Sequence, residues 1–523
     1  MNFPDGVSSW VPTKDHFAYI QTIIRSGEDI SDIPSLHTVI GSIQTEVAKR
    51  ERELEQNRRE HKILIKEHNL LSSYAQNCST LLAPIRRLPR ELLAEILGLC
   101  CCHENGSFST NPDEELRNVC HRGLRQLAQV CTLWRRSVMG TPKLWSRISI
   151  RIKLWSRCSV SPDTLLSMLT FALNKGEQHP LHLRLIATSS YSHSALVLAL
   201  LVSHASRWKN VNMMVDTGLQ KTLAGLKGQL HQLQELRLNS VAIESNVFDY
   251  APRLNKVSVE ATSRINCLPK LPWGQLASVS YRGKVTTGLI DVFSCLSVAS
   301  TVTNVEFFLD MLVPSSVALW TPVHSNTQSL TLCFAVEDVA IVDRVFDSLT
   351  LPSLQTFVFA PHEETVPVWA PHAFHSLARR STFADHLTYL VIGARISDEQ
   401  LLDCLALLIN LQKLRVFDYA THVAITDKLL LGLKHSSGRS FVVAPRLELL
   451  YMATLLQFTD SIYFDLITSR VNGCCEGQAS PFQVHIRCRP TRKRELSTEL
   501  LDNIAKLEKE AKGRLIFKRR VLR

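Results

Sequence analysis

Three hydrophobic patterns succeed one another along the chain, and each predicts a different architecture. From Leu36 to Ala75 apolar positions recur at helical spacing with no proline, which predicts one long helix over about 35–79. A count in sevens sets Leu36, Ile43, Arg50, Asn57, Leu64 and Leu71 in one row, and Ile40, Val47, Leu54, His61, His68 and Ala75 in the other. The ends of this seam are apolar, its centre is polar, and the charged stretch Lys49–Lys62 surrounds it. Two readings stay open: a short coiled coil making a homodimer through 36–75, or a single helix packing one stripe on the segment that follows. Residues 1–34, punctuated by Pro4, Pro12, Gly27 and Pro34, are expected to form an irregular leader.

The second pattern is split. LPRELLAEIL (Leu88–Leu97) places Pro89 at a helix start and Leu92, Leu93, Ile96 and Leu97 at helical spacing. LRQLAQVCTLWRRSV (Leu124–Val138) puts Leu124, Leu127, Val130, Cys131 and Trp134 on one helical face, and TPKLWSRI (Thr141–Ile148) closes the unit. Between the blocks, about 101–123 is polar and turn-rich, an insertion between helices that costs little stability. The unit as a whole spans 84–150.

After Ile148 the spacing becomes apolar-x-x-apolar-x-apolar, the product of a short strand with one buried face. Its middle positions are 211, 236, 257, 279, 305, 330, 357, 390, 414, 450 and 484. Seven of the ten intervals fall within the roughly 20–29 residues of leucine-rich repeats, and the others imply inserted turns or helices. Intervening segments such as ISDEQLLDCLALL (Ile396–Leu408) predict helices, here with Ser397 as cap. The asparagine of regular repeats is mostly missing, with LRLNS (Leu236–Ser240) its one clear echo. The fold class expected is therefore α+β and repetitive: an N-terminal helix, a small helical unit, then a degenerate leucine-rich-repeat-like α/β solenoid over 151–490.

Composition changes little in this picture. An apolar fraction of 45% and a charged fraction of 20% are ordinary for a globular chain of 523 residues. No signal peptide is visible at MNFPDGVSSW, and the longest apolar run, Ala195–Val202, is too short to cross a bilayer. An intracellular protein, cytoplasmic or nuclear, with its 14 cysteines reduced, is expected. The excess charge of +11 concentrates in Arg487–Arg523, where 13 Lys/Arg face 5 Asp/Glu. Glu495–Lys512 reads as a polar helix, and 491–523 as a solvated basic tail outside the repeats; an electrostatic contact with nucleic acid or chromatin is the other reading, and a membrane partner is not expected.

The second pattern resembles the F-box, a helical module that docks on the Skp adaptor of cullin ubiquitin ligases, and the layout is similar to the large F-box families of mushroom-forming fungi. The resemblance covers about 60 of 523 residues. It implies that Leu88, Pro89, Leu92, Ile96, Leu97, Val130, Cys131 and Trp134 face the adaptor, with Leu144 and Trp145 as the closing LW. It further implies a non-enzymatic substrate receptor, carried through the adaptor to a cullin scaffold, whose repeats select a target protein. A repeat scaffold outside any ligase is the alternative.

Other chemistry finds little support. Cys100, Cys101, Cys102 and His103 with Cys120 and His121 invite zinc, but adjacent cysteines on a helix point about 100° apart and cannot all face one ion. No Walker loop, GxSxG or HExxH is present, and Cys474 and Cys475 read as a surface turn. No cofactor is expected.

Overall fold

The fold comes from a computed structural model that describes residues 14–26, 33–101, 122–152, 162–191, 193–239, 246–261, 270–283, 296–297, 299, 301–309, 322–335, 337–362, 365–435, 443–473, 481–488, 495–511 and 513–521. The chain divides into two units, residues 1–93 and 94–523.

The first unit is helical. Helix α1 (Lys14–Ser26) corrects the expectation of an irregular leader: Phe17, Ile20 and Ile24 recur at helical spacing, a pattern that the flanking prolines obscured. Helix α2 (Ile33–Leu81) is a single run of 49 residues. Its seam is in solvent, with Ile40, Val47, Leu54, Leu64 and Leu71 all exposed. At the polar centre, Arg50 pairs with Glu46 at 3.3 Å and with Glu53 at 3.0 Å, so this charge is satisfied along its own helix. A 3-10 turn at Pro84–Arg87 and then Pro89 separate α2 from helix α3 (Arg90–Cys101).

The second unit is an α/β body built on one parallel sheet of 14 strands among the described residues. In chain order the strands are β1 (Arg147–Arg151), β2 (Leu181–Ala187), β3 (Trp208–Val215), β4 (Glu235–Asn239), β5 (Lys256–Ala261), β6 (Ser278–Gly283), β7 (Asn304–Leu309), β8 (Val323–His324), β9 (Ser329–Phe334), β10 (Leu349–Thr350), β11 (Thr356–Pro361), β12 (Tyr389–Ile392), β13 (Lys413–Phe417), β14 (Leu449–Thr454), β15 (Phe482–Cys488) and β16 (Leu515–Val521). The short strands β8 and β10 pair only with each other; every other strand joins the large sheet in sequence order. Neighbours in sequence are thus neighbours in space throughout, the arrangement of a stacked repeat.

The eleven middle positions read from spacing, Val211 to Val484, are strand-to-strand partners in one continuous row. The row extends beyond them, to Leu183 and Ile148 at one end and to Phe517 at the other. Alternate residues point into a continuous core shared with the helices, where Trp369 meets Phe346, Phe359 and Phe374 at ring distances of 5.8, 5.5 and 5.0 Å.

The tail expectation fails here. The described residues of this segment, 495–511 and 513–521, are not an appendage: helix Thr498–Glu510 packs beneath the sheet through Leu500 and Ile504, and β16 is the strand beside β15. The repeat region therefore runs to at least Val521, because Leu515 and Phe517 alternate inward even within a basic sequence.

The helices over the C-terminal half are linked by their caps. Ser397 caps helix Asp398–Ala406 in a reciprocal box with Gln400. The carboxylate of Asp398 accepts the Thr426 hydroxyl of the next unit at 2.6 Å. Asp427 accepts from the Thr459 hydroxyl at 2.7 Å, and Asp460 from the Ser497 backbone N–H at 3.1 Å. Ser397 and Thr426 thus cap their own helices, and the Asp that follows each, like Asp460 after Thr459, holds the start of the next helix.

Candidate interaction surfaces

The segment that carries the F-box resemblance forms short helices, and their exposure sorts the expected adaptor contacts. On α3, Leu92 and Ile96 lie one turn apart and are 54% and 37% exposed, while Leu93 and Leu97 on the other side are fully buried. Leu97 is therefore core, which corrects its place among the outward-facing residues: the 100° step between Ile96 and Leu97 cannot present both to a partner. In the first unit Pro89 is exposed and Leu88 half-buried. Within the second, Glu95 pairs with Lys143 at 2.6 Å, and Gly98 lies so close to Leu144 that a Cβ there would sit 3.3 Å from it.

The expected helix Leu124–Val138 is broken. It ends at Val130, restarts at Thr132, and leaves Cys131 extended between them with φ −160° and ψ 172°. Leu124, Val130 and Trp134 consequently do not share one continuous helical face. The break strands the Ala128 carbonyl, and the Arg135 guanidinium donates to it at 3.0 Å. Leu124 and Ala128 are buried, Val130 is 60% exposed, and Cys131 and Trp134 are half-buried. Trp145 is buried, donates its indole N–H to the Val138 carbonyl at 2.8 Å, and meets Phe171 edge-on at 5.4 Å. The closing LW thereby fastens the helical segment to the first helix of the repeat region.

The zinc candidates Cys102, His103, Cys120 and His121, with most of the insertion, lie outside the described residues, as do Cys474 and Cys475. Among the described residues no cluster of three or more His, Cys, Asp or Glu is placed to hold a metal, and no helix is long and apolar enough to cross a membrane. Burial, with Glu306 adding to it, pushes the Cys333 thiol up to about 11, and burial pushes that of Cys404 to about 12. Both thiols stay protonated near neutral pH, the opposite of what a nucleophile needs.

The second surface is the sheet face opposite the helices, on which the sequence nominated no residue. Its polar side chains change character along the row. Over β4–β7 acidic and basic groups balance, and Glu235 takes Arg237 at 2.9 Å and Lys256 at 3.5 Å. Over β9–β12 the same face has no charge, with Ser329, Thr331, Thr356 and Tyr389 among its residues. Over β13–β16 it becomes basic: Lys413 and Arg415, then Arg487, then Lys518 and Arg520. Arg415 donates to the Tyr389 hydroxyl at 3.2 Å and lies 4.6 Å from the Tyr451 ring centre. One signal could have located this face, since each middle position of the periodic pattern has an open-face residue on either side.

Fold and surfaces together define a parallel α/β repeat protein with a helical segment ahead of its first strand. No known family matches the chain, and no curated protein matches it. Solved structures do match, among them that of a protein from Bacteroides fragilis, 12% identical, covering 57% of this chain and 74% of that one with a TM-score of 0.30.

Proposed function

We propose that this chain is the substrate-receptor subunit of a Skp–cullin–F-box ubiquitin ligase and does no chemistry itself. The observation that carries the reading is the two-sided apolar character of α3, whose Leu92 and Ile96 stay exposed while Leu93 and Leu97 are buried. Such residues have a reason to remain in solvent if a partner covers them, and each large side chain contributes about 1.5–3 kcal/mol when fully buried. The order LPRELL, VCTLW, LW supports an adaptor as that partner, with Leu88, Pro89, Val130, Cys131 and Trp134 completing the contact. The α/β body, read as degenerate leucine-rich repeats, then selects the target. The exposed seam of α2 supports pairing of two such receptors.

Co-purification with a Skp adaptor tests the reading. Ile96→Asp and Val130→Asp should each abolish adaptor binding with the thermal melt unchanged, because both side chains are in solvent. Leu97→Asp should unfold the helical segment instead. Adaptor binding by folded Ile96→Asp and Val130→Asp chains at the wild-type level overturns it.

A further inference from the structure

The basic end of the open sheet face is the strongest feature that adaptor docking leaves unused. Strand register sets Arg487 beside Arg520 and His485 beside Lys518, and Arg415 follows two strands away in the His485 row. Lys413, Arg415, Arg487, Lys518 and Arg520 share this face, and the four strands place no acidic side chain on it. Of the acidic residues just outside the strands, Asp418 is fully buried and held by four donors, and Glu448 precedes β14 half-buried. Two polar atoms in the patch, His485 Nε2 and Arg487 Nε, are buried yet have no hydrogen-bond partner. Both atoms are enclosed by protein, so a ligand reaches instead the exposed Lys413, Lys518 and Arg520 side chains around them.

We propose that the open face of β13–β16 binds an acidic, carboxylate-rich polypeptide segment. Four strands span about 15 Å, the reach of four or five extended residues, so the cations match a short run of Asp and Glu. Single-stranded nucleic acid fits less well. Its bases gain most from free aromatic faces, whereas Tyr451 has Arg415 over its ring and Phe417 at 5.7 Å. Arg415 is also fixed by the Tyr389 hydroxyl, so one cation is already positioned before a partner arrives. The inference deepens the receptor reading by naming the kind of target, and its test omits the adaptor so that either can fail alone.

The test is fluorescence anisotropy with the full chain and a labelled glutamate-rich peptide, a lysine-rich peptide and a single-stranded oligonucleotide of equal charge. The glutamate-rich peptide should bind, and Arg487→Glu/Lys518→Glu should weaken it by about tenfold or more. Arg237→Glu/Lys256→Glu removes the same charge from the charge-balanced stretch β4–β5 of the face and should change binding less than about twofold. Circular dichroism of both variants establishes that they are folded. Equal losses in the two variants, absence of peptide binding by the wild-type chain, or tighter binding of the oligonucleotide would each overturn the proposal. Retention of a Skp adaptor by the Arg487→Glu/Lys518→Glu chain separates this site from the α3 surface.

Discussion

The Asp418 carboxylate, just after β13, accepts the hydroxyl of Thr454, the last residue of β14, at 2.9 Å, and both residues are fully buried. The same oxygen takes the Leu455 N–H at 3.1 Å, and its mate takes the Ala424 and Ile425 N–H groups at 3.0 Å each. Four donors converge on one side chain, which therefore ties two successive units. Asp418→Asn would aim an NH2 group at donors, so a loss of about 2–4 kcal/mol is expected in urea unfolding.

The same carboxyl has a pH signature. Burial raises its titration above the ordinary carboxylate range, although its four hydrogen bonds oppose the rise. The folded chain then holds a proton that the unfolded chain has already released, so this group's contribution is full at low pH. It declines as pH rises through the folded-state titration. Unfolding free energies of wild type and Asp418→Asn, measured from pH 4 upward, should converge with rising pH; a gap that widens contradicts the assignment.

Trp145 and Phe171 join the helical segment to the repeats through their edge-on contact. Trp145→Ala is expected to cost about 3–5 kcal/mol. In a double-mutant cycle with Phe171→Ala, the coupling should be about 0.5–1.5 kcal/mol. A coupling of zero would mean that the ring contact adds nothing beyond burial.

The cap chain makes a local prediction. Asp427→Ala leaves the Thr459 N–H and hydroxyl without the carboxylate they donate to, at 2.5 and 2.7 Å. A loss of about 1 kcal/mol follows, with amide exchange accelerated first in helix Asp460–Gly473 rather than across the whole sheet.

Deleting 513–523 removes β16 and bares the edge of β15. A solvated tail could be cut without effect. Here the melting temperature should fall by at least about 5 °C and the chain should self-associate in size-exclusion chromatography.

What the sequence revealed depended on how far each residue's burial followed a repeating template. The eleven-position row was legible because one apolar face recurs in every unit. β16 is hidden because Arg514 and Arg519 replace both apolar positions that flank Phe517 in the template, whereas β2, with Pro180 but Leu183 and Leu185 intact, was as legible as β9 and β15. β1 fits the template through Trp145, Ile148 and Ile150, but Trp145 and Ile148 also belong to the closing LW block, which masks the strand. No Gly or Pro announces the break at Cys131, and the Arg135 guanidinium that satisfies the freed Ala128 carbonyl is visible only in the fold. Of the residues that the resemblance assigns to an adaptor, Ile96 and Leu97 are indistinguishable by composition, and the packed helix separates them. The basic face could not be seen until β16 had a register, because Lys518 and Arg520 belonged to no row before then.

Each large-sheet strand touches only its predecessor and successor in that sheet, which makes the length of this domain an adjustable quantity. Excising residues 356–388 would bring β12 against β9 with the side-chain alternation of every other unit intact. Duplicating a unit would lengthen the open face by about 4.8 Å. A lineage could therefore retune the reach between the α3 helix and the basic end as one sets a ruler, in whole increments, without redesigning either end.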